Sequence, residues 1–359
     1  MACDFKTFGE KYLGKIENKI SSYYDGKINQ SQFDVITDAL TDVKEYCLRP
    51  GKRIRPLLVV AGYTGYSGIE DVPDSVIDVA AAIEIFHSYL LVHDDIIDKA
   101  VTRRGGKSLH RALQDRYYPA TGLPSIGVDE AIIFGDVMCF HAFEIVNNAD
   151  IDSALKKELT SVMISTYEMT AWGQALDIYH TKPKKITKDD RAPLSISEFK
   201  TAYYTISNPY IMGMVIAGKD SRAERKAIEK FALPLGIAFQ LRDDLLGVFG
   251  AEATIGKSAD SDLAEGKYTM LVQKTVELLD KNQQKDFINR ISLPNDKMTE
   301  SDIVKLREYI ESSGAKKIVR ERIETMYKDA IIAIEKTGAS DDIKSLLLDI
   351  SRMINNVDV

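Results

Sequence analysis

Apolar residues recur at spacings of three and four along nearly the whole chain, and strict alternation is rare. That is the period of an amphipathic helix. The pattern predicts helices over 5–24, 31–48, 54–66, 73–99, 106–117, 128–148, 151–179, 196–218, 221–247, 265–280, 298–313, 315–336 and 340–354. Ser195 and Glu198 have capping-box spacing and mark one start, Asp150 marks a weaker one, and Gly314 marks a stop. The most apolar run, Val76 to Val92, is interrupted by Asp78, Glu84 and His87. It reads as a buried central helix rather than a membrane span. The connectors at 118–124, 182–193 and 249–266 lack the composition of interdomain linkers, and no solenoid period recurs. The expectation is an all-α fold, one domain over 1–359, built as a single large helical bundle around a deep central pocket.

Composition narrows the function. The 359 residues are 45% hydrophobic and carry a net charge of -7, with lysines spread rather than clustered, which argues against nucleic acid as a partner. The five histidines lack metal-ligand spacing. Cys3, Cys47 and Cys139 are odd in number and far apart, the pattern of thiols in a reducing compartment. The amino-terminal residues contain no apolar signal core, so the chain is expected in the cytoplasm.

Chemistry enters at two acidic stretches, His93-Asp94-Asp95-Ile96-Ile97-Asp98 and Gln240-Leu241-Arg242-Asp243-Asp244. Each ends an apolar helical run, where isolated carboxylates are costly. Asp94 and Asp98 are four apart and share a helix face, so they repel unless a cation sits between them. Mg²⁺ suits such a pair because it takes a few carboxylates and completes its shell with waters and phosphate oxygens. The bland reading is a solvated acidic helix end, which the macrodipole disfavours.

A longer series then carries a resemblance. Gly51-Lys52-Arg53-Ile54-Arg55-Pro56, His87 with the first acidic motif, Arg103-Arg104-Gly105, Gly135-Asp136, Gly173-Gln174 with Asp177, Lys200-Thr201, Gln240 with Asp243-Asp244, and Gly256-Lys257 to Glu265-Gly266-Lys267 occur in this order. The chain thereby resembles the trans-type isoprenyl diphosphate synthases, the polyprenyl synthetases. The resemblance implies an isoprenoid-synthase helical bundle, usually a homodimer, that condenses isopentenyl diphosphate with an allylic diphosphate. It implies three Mg²⁺ ions, two on Asp94 and Asp98 and one on Asp243. Arg103, Lys200, Lys257 and Lys267 would hold the allylic diphosphate, and Lys52, Arg55, His87 and Arg104 the isopentenyl diphosphate. Thr201 and Gln240 would present oxygen dipoles to the carbocation. Three departures stand out: Gly247 replaces a common third aspartate of the second motif, Lys107 replaces a proline, and Asp260 replaces a glycine.

By the same resemblance, residues one or two turns before Asp94 limit product length. Tyr89 and Phe86 lie there, and a bulky ring at that depth favours geranylgeranyl diphosphate, with farnesyl diphosphate next. A class I terpene cyclase would carry a different second metal signature where Asp243-Asp244 stand. A non-catalytic partner subunit would lack aspartates that this chain keeps in Asp94, Asp95 and Asp98.

Overall fold

The structure, a computed structural model, describes residues 4–69, 71–182, 191–250 and 261–355. Its elements are α1 (Phe5–Gln30), α2 (Asp34–Leu48), α3 (Ile54–Ser67), α4 (Asp74–Ile97), β1 (Thr102–Arg103), β2 (Gly106–Lys107), α5 (Leu109–Thr121), α6 (Ile126–Asn148), α7 (Ser153–His180) and α8 (Arg191–Ser197). A π-helix (Glu198–Ser207) follows, then α9 (Asn208–Ile216), α10 (Arg222–Phe249), α11 (Ser261–Glu265), α12 (Met270–Leu278), α13 (Lys281–Ile291), α14 (Glu300–Ser313), α15 (Ala315–Ile334) and α16 (Asp341–Asn355). The chain is all-α apart from one two-stranded hairpin. It divides into two compact units.

The first unit comprises Met1–Val162, Pro209–Asp220 and Ala339–Ile343. Helix α4 is its centre and packs against α6, α3 and α1, while α5 packs against α6 and α2. By length and composition α4 could cross a membrane, but 78% of its apolar window is buried in the protein, as in a core helix. Helices α3 and α9 approach at glycines. A Cβ on Gly62 would overlap the backbone of Tyr210 and stand 3.2 Å from Cα of Gly213. Cys47 is buried and Cys139 half-buried, both as thiols.

The second unit comprises Met163–Asn208, Ser221–Gly338 and Lys344–Val359. Here α10 packs against the π-helix and α15, and α12 packs against α15 and α14. Gly236 of α10 lies against the π-helix so closely that a Cβ there would stand 2.6 Å from Cβ of Ala202.

Several boundaries differ from expectation, each for a local reason. Residues 102–107 form a hairpin with Thr102 opposite Lys107 and Arg103 opposite Gly106. Its central residues Arg104 (φ 52°) and Gly105 (φ 81°) both have positive φ, the geometry of a tight hairpin turn. Helix α5 therefore starts at Leu109 rather than 106 and runs through Pro119 to Thr121, closed by Gly122 in the left-handed region. The cap of α7 is Asp152, whose Oδ1 accepts from the Ala154 N–H at 2.7 Å, rather than Asp150. Ser195 lies inside α8 and caps nothing, because the helix is already formed at Arg191. Helix α13 was not anticipated. Gly314 does end α14, at φ 84°.

Candidate active site

In the first unit, α4 delivers the first acidic motif at its carboxyl end. The Asp98 N–H donates to the Asp94 carbonyl at 2.8 Å, so these residues are one turn apart. Both side chains are partly exposed, whereas Asp95 between them is fully buried. Asp95 takes a bond from Arg103 Nε at 2.7 Å and from the Tyr46 hydroxyl at 2.8 Å. Burial lifts the Asp95 carboxyl, with Arg103 opposing it, and the carboxylate in turn keeps Arg103 firmly protonated. Arg103 reaches Asp94 more loosely, at 3.4 Å. The middle aspartate thus anchors the hairpin, leaving Asp94 and Asp98 as the accessible pair.

A basic constellation sits one to three turns earlier on α4. His87 is buried, and two guanidinium groups meet its Nε2: Arg104 at 3.0 Å and Arg55 at 3.3 Å. Arginine only donates, so Nε2 accepts and the ring proton is on Nδ1. Burial first, then the neighbouring Arg55 and Arg104 charges, hold His87 well below the ordinary histidine range, so the ring is neutral. Two cations converging on one neutral nitrogen leave their positive charge available for an anion. Behind them Glu84 accepts from Arg104 at 3.3 Å and from Arg53, and Arg53 also reaches Glu17 at 3.2 Å and the Arg49 carbonyl at 2.7 Å. Gly51 lets the Arg104 guanidinium lie flat on the backbone: a Cβ there would be 3.2 Å from Cζ. Lys52 is exposed beside it.

Tyr89 and Phe86 are both buried on α4, with ring centroids 5.5 Å apart. Tyr89 also meets His93 at 5.0 Å, and Phe86 meets Phe143 of α6 at 6.3 Å. They stand roughly 7.5 and 12 Å before Asp94 along the axis, at about 1.5 Å per residue.

In the second unit the π-helix carries Lys200 and Thr201. Gly173 of α7 lets it approach, since a Cβ there would stand 2.6 Å from Cα of Lys200. Lys200 Nζ then pairs with Asp177 at 2.6 Å. The Thr201 hydroxyl donates to Gln240 Oε1 at 2.6 Å, and Gln240 Nε2 donates to Asp244 Oδ1 at 2.8 Å. Asp244 is buried, and burial together with the charges of Asp262, Asp243 and Asp177 pushes its carboxyl up to about 8, against the Gln240 bond. Lys267 pairs with Glu265 at 3.0 Å and Asp262 at 3.6 Å. Lys257 lies outside the described residues. The sequence gave no role to Asp95, Glu84, Arg53 or Asp262. Asp95 was passed over because it points off the Asp94–Asp98 face, yet a carboxylate off that face needs a cation of its own, and Arg103 follows closely.

Among the described residues no three His, Cys, Asp or Glu side chains converge on one metal-sized point. That suits Mg²⁺, which uses one or two carboxylates and completes its shell with water and substrate phosphate. The raised Asp244 fits as well, because a cation at Asp243 would relieve the crowded negative field.

Two acidic helix faces, each accompanied by fixed cations on an all-α frame, define an enzyme that handles a diphosphate. The polyprenyl synthetase family model matches residues 37–310, and the chain belongs to that family, whose reaction is prenyl chain condensation. It is 28% identical over 328 residues to a short chain isoprenyl diphosphate synthase of Methanothermobacter thermautotrophicus, covering 91% of this chain and 94% of that one. Against a geranylgeranyl diphosphate synthase of Saccharolobus solfataricus it is 30% identical over 262 residues, 72% of each chain. A crystal structure of geranylgeranyl pyrophosphate synthase from Corynebacterium glutamicum, complexed with isoprenyl diphosphate and magnesium, superposes with a TM-score of 0.87 at 28% identity, covering 98% of this chain and 99% of that one.

Proposed function

We propose that the chain is a cytoplasmic geranylgeranyl diphosphate synthase, working as one functional domain over 1–359. The observation that carries this reading is the pair of guanidinium groups on His87 Nε2, one turn and more before the Asp94–Asp98 face on the same helix. An anion pocket and a cation face so arranged match a reaction that joins two diphosphates. The name of the Saccharolobus relative and the buried Tyr89 and Phe86 rings support the twenty-carbon product.

Asp94 and Asp98 hold two Mg²⁺ ions and Asp243 a third. When bound, Mg²⁺ neutralises the allylic diphosphate and makes it a competent leaving group. Arg103, Lys200, Lys257 and Lys267 bind that diphosphate, arginine by its fork and lysine as a point charge. Lys52, Arg55, Arg104 and neutral His87 hold isopentenyl diphosphate. As the allylic C–O bond breaks, the double bond of isopentenyl diphosphate attacks the allylic carbon, and loss of a proton restores a double bond. Thr201 spends its proton on Gln240, so its oxygen lone pairs remain to face the allylic cation. Excluding water prevents capture of that cation as an alcohol.

A homodimer completes the reading. On the outer face of α6, Ile132, Ile133 and Phe140 are exposed, Phe140 at 72%. Such an apolar patch favours a partner copy. The test is to incubate purified protein with isopentenyl diphosphate and each allylic diphosphate, then size the dephosphorylated products. A dominant twenty-carbon alcohol is expected; no Mg²⁺-dependent condensation would refute the reading.

A further inference from the structure

Gly247 lies four residues after Asp243 and seven after Gln240, on the α10 face that carries both. A glycine inside a helix costs about 1 kcal/mol relative to alanine, so its place there needs a cause. The cause lies across from it. A Cβ on Gly247 would overlap the carboxylate of Asp262, with Asp262 Cγ 2.9 Å away. Asp262 comes from the next short helix, α11, and its side chain is only 17% exposed. Its carbonyl accepts from the Lys267 N–H at 3.1 Å, and Gly266 N–H donates to Leu263 at 3.1 Å, so the turn from Asp262 to Lys267 is closed. The Asp262 carboxylate also stands 3.6 Å from Lys267 Nζ. A carboxylate from outside the helix therefore fills the volume that a side chain at 247 would need, and positions 247 and 262 exclude each other sterically.

We propose that Asp262 supplies the carboxylate that α10 omits at Gly247, as a positioning residue that holds the water shell of the cation on Asp243 and aims Lys267. The proposal rests on the reading that Asp243 holds Mg²⁺. A magnesium ion with one protein carboxylate keeps several waters, and those waters need acceptors in fixed places. A carboxylate on α11 serves as such an acceptor while its ion pair fixes the lysine. Had the acid stood on α10 itself, it would have met the Asp243 face but not the turn that carries Lys267.

The experiment compares the wild type with Asp262→Asn, Gly247→Asp and the double variant Gly247→Asp/Asp262→Ala. Two quantities are read: the Mg²⁺ concentration for half-maximal condensation, and the rise in melting temperature when Mg²⁺ and inorganic pyrophosphate are added without substrate. Asp262→Asn and Gly247→Asp should each raise the Mg²⁺ requirement by roughly 10–100-fold, as expected for lost outer-shell partners, and shrink the thermal rise. Melting without metal should change little for Asp262→Asn. The double variant should recover most of the loss, because the acid is then on α10 and the overlap is gone. If Gly247→Asp does not fold, Gly247→Ala creates the same overlap without charge and should also raise the Mg²⁺ requirement. An unchanged Mg²⁺ requirement and thermal rise in Asp262→Asn would overturn the proposal, as would a double variant impaired by the product of the single effects. Wild type that condenses normally while Asp262→Asn is silent refutes this inference alone. Wild type with no Mg²⁺-dependent condensation refutes the functional reading and this inference with it.

Discussion

Arg53 and Glu84 form an ion pair in which each side chain is only 1% exposed. Arg53 reaches it from a backbone in the left-handed region, φ 49°, which a non-glycine residue adopts only when its surroundings compensate. Glu84 also accepts from Arg104, so the pair backs the proposed isopentenyl diphosphate pocket. Glu84→Ala should cost about 3–5 kcal/mol of stability, because it leaves Arg53 charged and buried. Urea unfolding checks this, and a loss under about 1 kcal/mol, the level of an exposed pair, would show the pair to be energetically idle.

Asp94→Ala and Asp243→Ala should each abolish nearly all condensation in a folded protein, and chelating Mg²⁺ should do the same. Both residues are assigned to metal, and metal-assisted departure of the diphosphate supplies several kcal/mol, about that order, of barrier lowering. Circular dichroism beside a radiolabel assay checks this. Substantial turnover by the folded Asp94 variant would remove the metal assignment.

Lys52→Ala and Arg55→Ala should chiefly raise KM for isopentenyl diphosphate, while Lys200→Ala should chiefly impair the allylic substrate. Losing a charge-assisted bond to phosphate costs on the order of a few kcal/mol. Initial rates with each substrate varied in turn separate the two. Equal effects on one substrate would mean that the pockets are wrongly divided.

Tyr89→Ala should lengthen the product, and the double change with Phe86→Ala should lengthen it further. A close-packed interior has no spare volume for another five-carbon unit until a ring is removed. If both rings serve only as core, each loss should cost ~3–5 kcal/mol and leave the product distribution alone. Chromatography of the dephosphorylated products beside a thermal melt decides.

The folded protein should lose a share of its stability in mild acid through His141. Burial first, then Lys27, lowers this ring to about 4, against the opposing pull of Glu144. It packs edge-on to Tyr23 and Tyr24. In the unfolded chain its pKa is about 6.5. Between those values the unfolded state binds a proton that the folded state refuses, so stability falls as pH drops from 6.5 towards 4. His141→Gln should therefore gain on the wild type in melting temperature as pH goes from about 7 to about 5. A constant difference between the two proteins would disprove the shift.

The helices that carry the site were legible because each repeats an apolar stripe over several turns. Helix α4 and helix α10 are the clearest, and the acidic motifs at their ends needed only the four-residue face rule. Helix α13 was missed because its stripe is thin: only Phe287 and Ile291 are buried in a polar sequence. Its start was readable nonetheless, as Asp280 and Gln283 form a complete capping box. The hairpin at 102–107 was hidden because four residues in two strands are too few for alternation to register. Contacts between distant residues, such as Tyr46 with Asp95 or Gly247 with Asp262, leave no local signature at all.

The π-helix between α8 and α9 makes the number of residues matter as well as their kind. Each of its turns closes one residue later than an α-turn, so it shifts the phase of everything that follows. Neighbours in sequence, Lys200 and Thr201, consequently serve two different helices, one bound to Asp177 of α7 and the other to Gln240 of α10. Deleting a single residue between 202 and 206 would let the segment relax to α geometry and turn α9 by about 100° relative to Lys200, one residue's rotation at 3.6 residues per turn. Here, within a continuous helix, an insertion or deletion should be tolerated less well than most substitutions.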